Sequence, residues 1–202
     1  MARKKLTATQ RRAQLIDVGR KAFADKGFEA TSVEHIAEQA GVSKPIVYQH
    51  FGGKDGLYQV IVEQEMSQVA QVISEAIGTG SARERTERAV LAFLTYVRDN
   101  TEGFAVLSHD APVASGRGCM SSLINDLAGR VGHVFEGALR DAGGYDPAAA
   151  PIYAHALVGM VSFVGQWWAD NQEQDMDAVA GHLTALAWLG LRRLPLEPER
   201  PS

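Results

Sequence analysis

The sequence predicts an all-α protein with a small N-terminal three-helix domain and a larger helical one behind it, about nine helices in total. Three observations carry the prediction. Apolar residues recur at three- and four-residue spacing through most of the chain, no stretch alternates as a half-buried strand would, and glycines or prolines separate the periodic segments. With 202 residues, 46% of them hydrophobic and 22% charged, there is enough apolar material for one large core or two smaller ones.

The first helix is expected from about Thr9 to Lys26. Leu15, Ile16, Ala22 and Phe23 form its apolar stripe, and Gly27 with Phe28 closes it. Thr31 and Glu34 stand at capping-box spacing before Val33, Ile36, Ala37 and Ala40, which share one helical face that Gly41 ends. Ser43 is the natural N-cap of the next helix, Pro45 is tolerated in its first turn, and Val42 and Val47 have hydrophobic-staple spacing. Gly52 and Gly53 break that helix, and Lys54 and Asp55 open a long amphipathic one reaching about Ile77.

Ser81 with Glu84 repeats the capping-box spacing ahead of a helix to about Asn100, and a shorter one is expected from Glu102 to about Ser108. After a loop containing Pro112, Gly116 and Gly118, a helix runs from about Cys119 to Ala142. The segment Asp146 to Pro151 can begin the next helix in two ways, with a proline at either end. That helix is apolar nearly all round, from Tyr153 to Trp168, so it needs a core on one face and something else on the other. A last helix spans about Asp177 to Leu191, and residues 195–202 are expected to be a disordered tail.

Charge is divided unevenly. Residues 1–54 hold ten Lys or Arg against five Asp or Glu, residues 55–202 hold ten against nineteen, and every lysine lies in the first part. A basic N-terminal segment on an acidic remainder fits a chain that touches a polyanion with one end only. The arm Arg3, Lys4, Lys5, Arg11 and Arg12 can reach phosphates or the minor groove, or be a solvated tail. No signal-peptide core follows Met1 to Lys5, and the apolar stretch Ala154 to Trp168 reads as too short and interrupted for a membrane span. The lone Cys119 cannot make an internal disulfide, so the expectation is a reducing cytoplasm.

Two short helices around a glycine-containing turn make a helix-turn-helix, the motif that places its second helix in the DNA major groove. Val47 and Phe51 face inward in that second helix, leaving Lys44, Pro45, Ile46, Tyr48, Gln49 and His50 over its outer surface. The alternative for Ile46 and Tyr48 is packing within the domain. The chemistry of the outer face suits base edges: a lysine donates to guanine O6 and N7, a glutamine pairs with adenine, and Pro45 or Ile46 can lie on a thymine methyl.

Phe23 and Phe28, Thr31-Ser32-Val33 followed by Ile36-Ala37, Gly41-Val42-Ser43-Lys44, then Tyr48, His50, Phe51 and Lys54 together resemble the TetR family of bacterial transcriptional regulators. The resemblance covers about residues 9–60; the rest matches only in length and helical pattern. It implies a DNA-binding domain over residues 1–54 and an effector-binding and dimerisation domain over residues 55–194. By position it implies that Lys44, Pro45, Ile46 and Gln49 face base edges while Tyr48, His50, Lys54 and the Thr31 and Ser32 hydroxyls hold phosphates. It also implies a homodimer through the last two long helices, which would explain the all-round apolar one.

The function expected is a repressor that binds a palindromic operator in double-stranded DNA and is released by a small apolar or amphipathic effector. Met66, Phe93, Tyr96, Phe104, Leu107, Met120, Leu123, Phe135 and Trp167 are candidates to line its pocket, with His109, His133, His155 and Asn125 as polar contacts. Two other readings stand beside it. One is a DNA-bound scaffold that recruits a protein partner without a small ligand. The other is an enzyme in the helical domain, for which His109 beside Asp110, His133, His155 and His182 are the only candidates. No HExxH, no His and Cys cluster and no glycine-rich phosphate loop supports the enzyme, and no cofactor, metal or membrane is expected.

Overall fold

The computed structural model describes residues 6–108, 119–142 and 146–191, without the side chains of residues 82, 119, 120, 122, 134, 135, 137–139, 141 and 142. Arg3, Lys4 and Lys5 of the basic arm, His109 with Asp110, and the tail from Pro195 lie outside these residues, as do the side chains of Met120 and Phe135. Among the described residues there are nine α-helices, one 3-10 turn and no strand. They group into two compact units, Met1–Gln68 with Asn100–Met120, and Val69–Asp99 with Ser121–Ser202.

In the first unit, α1 (Ala8–Ala30) starts on a reciprocal cap: Gln10 N–H donates to Thr7 Oγ1 and Thr7 N–H to Gln10 Oε1. Its regular helix breaks at Gly27, whose φ of 75° an L side chain rarely adopts. Next come α2 (Val33–Ala40), α3 (Lys44–Phe51) and α4 (Lys54–Ile77), the last of which continues into the second unit. Leu15, Ile16 and Phe23 of α1, Ile36 and Ala37 of α2, Val47 of α3, and Leu57 and Ile61 of α4 are buried. Each large apolar side chain so covered contributes about 1.5–3 kcal/mol. α1 and α4 approach closely at Gly19, where an added Cβ would stand 2.9 Å from Leu57 Cδ2.

Phe23, Phe28 and Tyr58 pack edge to face or offset with centroids 4.8–6.0 Å apart. The short α6 (Thr101–Ser108) lies on α1 and buries Phe104, Val106 and Leu107, and the Tyr58 hydroxyl donates to Val106 O at 3.3 Å. An ion pair also crosses this core. Arg20 of α1 donates through Nε to Glu65 Oε1 of α4 at 2.7 Å.

In the second unit, Ser81 and Glu84 cap α5 (Ala82–Asp99) reciprocally at 2.8 and 3.3 Å, as their spacing predicted. α7 (Cys119–Ala142) follows, then the turn Pro147–Ala149 leading into α8 (Ala150–Ala169), and α9 (Met176–Leu191). α5 packs on α8 and α9. The α5 and α8 contact rests on Gly165, where an added Cβ would fall 2.4 Å from Phe93 Cε1. At the end of α8, Trp168 is buried and its indole N–H donates to Gln174 O at 2.9 Å.

The apolar segment at α8 is longer than the sequence reading allowed. Pro147–Ala169 is 23 residues, and its most apolar window has a mean hydropathy of 1.5, enough by length and composition to cross a membrane. It begins early because prolines at the start of a helix cost no intrahelical hydrogen bond. Only 22% of its most apolar window is buried within the chain. Ile152, Phe163 and Trp167 of α8 and Leu186 and Leu189 of α9 are exposed.

Candidate nucleic-acid interface

α2 and α3 are held as a pair by their caps and by an apolar underside. Ser32, not Thr31, is the N-cap of α2, its Oγ accepting from His35 N–H at 3.2 Å. Gly41 closes α2 in the left-handed conformation, φ 63°, and Val42 N–H returns to Ala37 O. Ser43 has the backbone of an N-cap but makes no side-chain cap bond, and Pro45 sits in the first turn of α3. Val47 is fully buried beneath α3, and Gln14 of α1 donates to Ala40 O at 3.2 Å, fixing the end of α2 against α1. Eight residues at about 1.5 Å each make α3 about 12 Å long, the width of a major groove.

The outer face of the pair carries Ser32, Lys44, Pro45 and Gln49, all exposed, and Tyr48, 47% exposed. Lys44 Nζ bonds Glu34 of α2 and lies 5.7 Å from the Tyr48 ring centroid. Ile46 and His50 are half-buried. Both line an open depression with Leu6, Thr7, Ala8, Arg11, Val42 and Ser43, where the start of α1 meets α3. Arg12 stands over the Phe51 ring at 5.0 Å, which places a guanidinium beside the end of α3.

Two expected phosphate contacts are placed differently. Thr31 is buried, 2% exposed, and its hydroxyl lies 2.7 Å from Gly27 O and 3.1 Å from Ala22 O. The reversal at Gly27 tucks this side chain under the end of α1, where it satisfies carbonyls that the broken helix leaves open. The Thr31 hydroxyl is thus turned to protein carbonyls, while Ser32 beside it stays on the surface. Lys54 is half-buried. Its ammonium donates to Phe28 O at 2.9 Å and lies 4.1 Å above the Phe28 ring, so the side chain closes the end of α1.

The candidate effector residues are divided between the two units. Met66, Phe104 and Leu107 belong to the first unit, the latter two buried in its α6 core. Phe93, Tyr96 and Leu123 are buried in the second unit. Trp167 is 50% exposed, because Trp168 takes the inward position one residue on. Asn125, His133 and His155 are exposed, with His155 Nδ1 at 2.7 Å from Pro151 O. Glu65 was missed from sequence; a carboxylate inside an otherwise apolar stripe of α4 was the available signal.

A three-helix unit with a capped helix-turn-helix, its second helix presenting hydrogen-bonding side chains outward, defines a DNA-binding regulator. The comparisons name the group. Residues 15–61 match the bacterial regulatory proteins of the tetR family, and residues 82–190 match the Tetracyclin repressor-like C-terminal domain. The chain belongs to the TetR family of transcriptional regulators and is not an enzyme.

It is similar to the HTH-type transcriptional activator FasR of Mycolicibacterium smegmatis, 28% identical over 194 residues, covering 95% of this chain and 88% of that protein. The HTH-type transcriptional regulator HbdR of Aromatoleum sp. is 30% identical over 162 residues, 78% of this chain and 69% of that one. A TetR-like transcriptional regulator from Rhodococcus sp. RHA1 shares the fold with a TM-score of 0.77 at 29% identity, over 94% of this chain and 100% of the other.

Proposed function

We propose that the chain is a dimeric repressor that reads a palindromic operator with α3 and is released by a small, largely apolar effector. The observation that carries the reading is the outer face of α2 and α3, where Ser32, Lys44, Pro45, Tyr48 and Gln49 are presented together while Val47 anchors the helix from below. Lys44 and Gln49 read base edges, Pro45 and Ile46 offer apolar contact, and Ser32, Tyr48 and His50 hold phosphates. Lys54 acts on phosphates through its remaining donors. Residues 1–54 serve DNA, and residues 55–194 serve the effector and the dimer.

The uncovered apolar side of α8 and α9 supports dimerisation, since Ile152, Phe163, Trp167, Leu186 and Leu189 make a surface that a second copy would remove from water. Two-fold symmetry then sets the recognition helices about 34–36 Å apart. The effector enters among Phe93, Tyr96 and Leu123, and α4, which belongs to both units, transmits its presence to α3 by shifting the population of DNA-competent dimers. The working place is the cytoplasm, where the operator is.

Activation is the second reading, favoured by the similarity to the activator FasR over 95% of the chain. The experiment is a reporter driven from the bound operator, with and without the gene for this chain, together with binding of Gln49→Ala and Tyr48→Phe to that operator. Repression predicts a rise in expression when the gene is removed; activation predicts a fall. Gln49→Ala is expected to relax sequence preference, and Tyr48→Phe to weaken all sequences alike. Identical behaviour of the two variants would contradict the division of roles.

A further inference from the structure

Glu34 is a carboxylate on the surface that otherwise presents donors to DNA. It stands in the first turn of α2, two residues after the N-cap Ser32, and its Oε1 holds the ammonium of Lys44, the first residue of α3. The two side chains are 63% and 47% exposed, so the bond is an outside contact that another anion can replace. The hydrogen bond from Lys44 holds the Glu34 carboxyl below the usual range, and the same bond raises the Lys44 ammonium, so both are charged across neutral pH.

Affinity for any duplex comes from cations set against phosphates, whereas discrimination comes from base edges. Glu34 acts as a phosphate stand-in built into the reader. Moving Lys44 to a phosphate oxygen exchanges one anionic oxygen for another and brings an uncompensated Glu34 near the DNA backbone. A guanine offers Lys44 two acceptors at once, O6 and N7, which a lone phosphate oxygen does not match in geometry. Glu34 therefore discounts binding everywhere and discounts it least where the bases are right.

We propose that Glu34 is a specificity-determining positioning residue that acts through Lys44, withholding its charge from non-specific phosphate contacts and widening the gap between operator and random DNA. The inference rests on the reading of α2 and α3 as the DNA face.

The test uses the full-length chain and two probes, the duplex that it enriches from a random pool and a scrambled duplex of equal length and composition. Glu34→Gln is expected to tighten the scrambled duplex several-fold, to steepen its salt dependence by about 1 per subunit, and to lower the ratio of the two affinities. The effect on the ratio is expected to vanish in a Lys44→Ala background and to be small for Glu34→Asp, which keeps the charge. Glu63→Gln, an exposed charge removal on α4, is expected to leave the ratio unchanged. Equal tightening of both duplexes, or a ratio that falls without Lys44, would overturn the inference alone. If the wild-type chain enriched no duplex, the DNA-face reading would fail and carry the inference with it.

Discussion

Arg20 of α1 and Glu65 of α4 meet at 2.7 Å in the first unit, with the Glu65 side chain 3% exposed and that of Arg20 25% exposed. Burial lowers the Arg20 pKa, but Glu65 and Asp17 outweigh it and leave the value raised. Taking a hydrogen-bonded cation away from a carboxylate this deep is costly. Arg20→Met is expected to destabilise the chain by about 2–4 kcal/mol, because Glu65 loses its guanidinium. Arg20→Met with Glu65→Leu is expected to lose less than Arg20→Met alone, since the buried carboxylate is then removed along with its cation. Urea unfolding of the three proteins measures this, and a double variant less stable than the single one would contradict it.

Thr31 and Ser32 set a buried hydroxyl beside an exposed one proposed to contact DNA. Thr31→Val removes the donor that faces Gly27 O and Ala22 O and is expected to cost about 1–2 kcal/mol of stability. DNA affinity, measured well below the unfolding midpoint, is expected to stay near wild type. Ser32→Ala is expected to weaken every DNA sequence together with a cap loss of about 1 kcal/mol. Weakened DNA binding by fully folded Thr31→Val would restore Thr31 to the phosphate contacts.

These two residues also show what the sequence could and could not reveal. Helix order, the glycine break at Gly41 and the cap at Ser81 and Glu84 were legible because each is set by residues within four positions. Thr31 and Ser32 are both N-cap residue types, and spacing to Glu34 favoured Thr31. The choice was made by the reversal at Gly27, which turns Thr31 inward. Arg20 and Glu65 stand 45 positions apart, and no local pattern announces their meeting. Trp167 and Trp168 are adjacent in a helix apolar on all sides, so periodicity did not say which one points inward.

At two glycines an added Cβ would come closest to its neighbours. At Gly56 an added Cβ would fall 1.9 Å from the Phe51 carbonyl oxygen, where α3 hands over to α4. Gly56→Ala is expected to cost at least about 3 kcal/mol, since backbone must move. The atoms nearest an added Cβ at Gly165 belong to the Phe93 ring, a side chain, so Gly165→Ala is expected to lose less, about 1–3 kcal/mol, partly restored by Phe93→Leu. Thermal unfolding of the purified variants checks both, and absence of rescue at Gly165 would contradict the packing described there.

The exposed side of α8 and α9 predicts an assembly that one charge can split. Phe163→Glu or Leu186→Glu, at positions 69% and 63% exposed in the single chain, is expected to leave the fold intact and shift the protein toward monomers in sedimentation equilibrium. DNA affinity is expected to fall with the loss of the second half-site contact. Dimers of unchanged strength in both variants would move the interface away from these helices.

Two copies of α3 are proposed to read DNA as a two-fold pair, and enrichment of a random duplex pool by the purified full-length chain is the direct test. The expected product is an inverted repeat whose half-site centres lie about one helical turn, or a multiple of it, apart. Enrichment of a single unrepeated motif would contradict it.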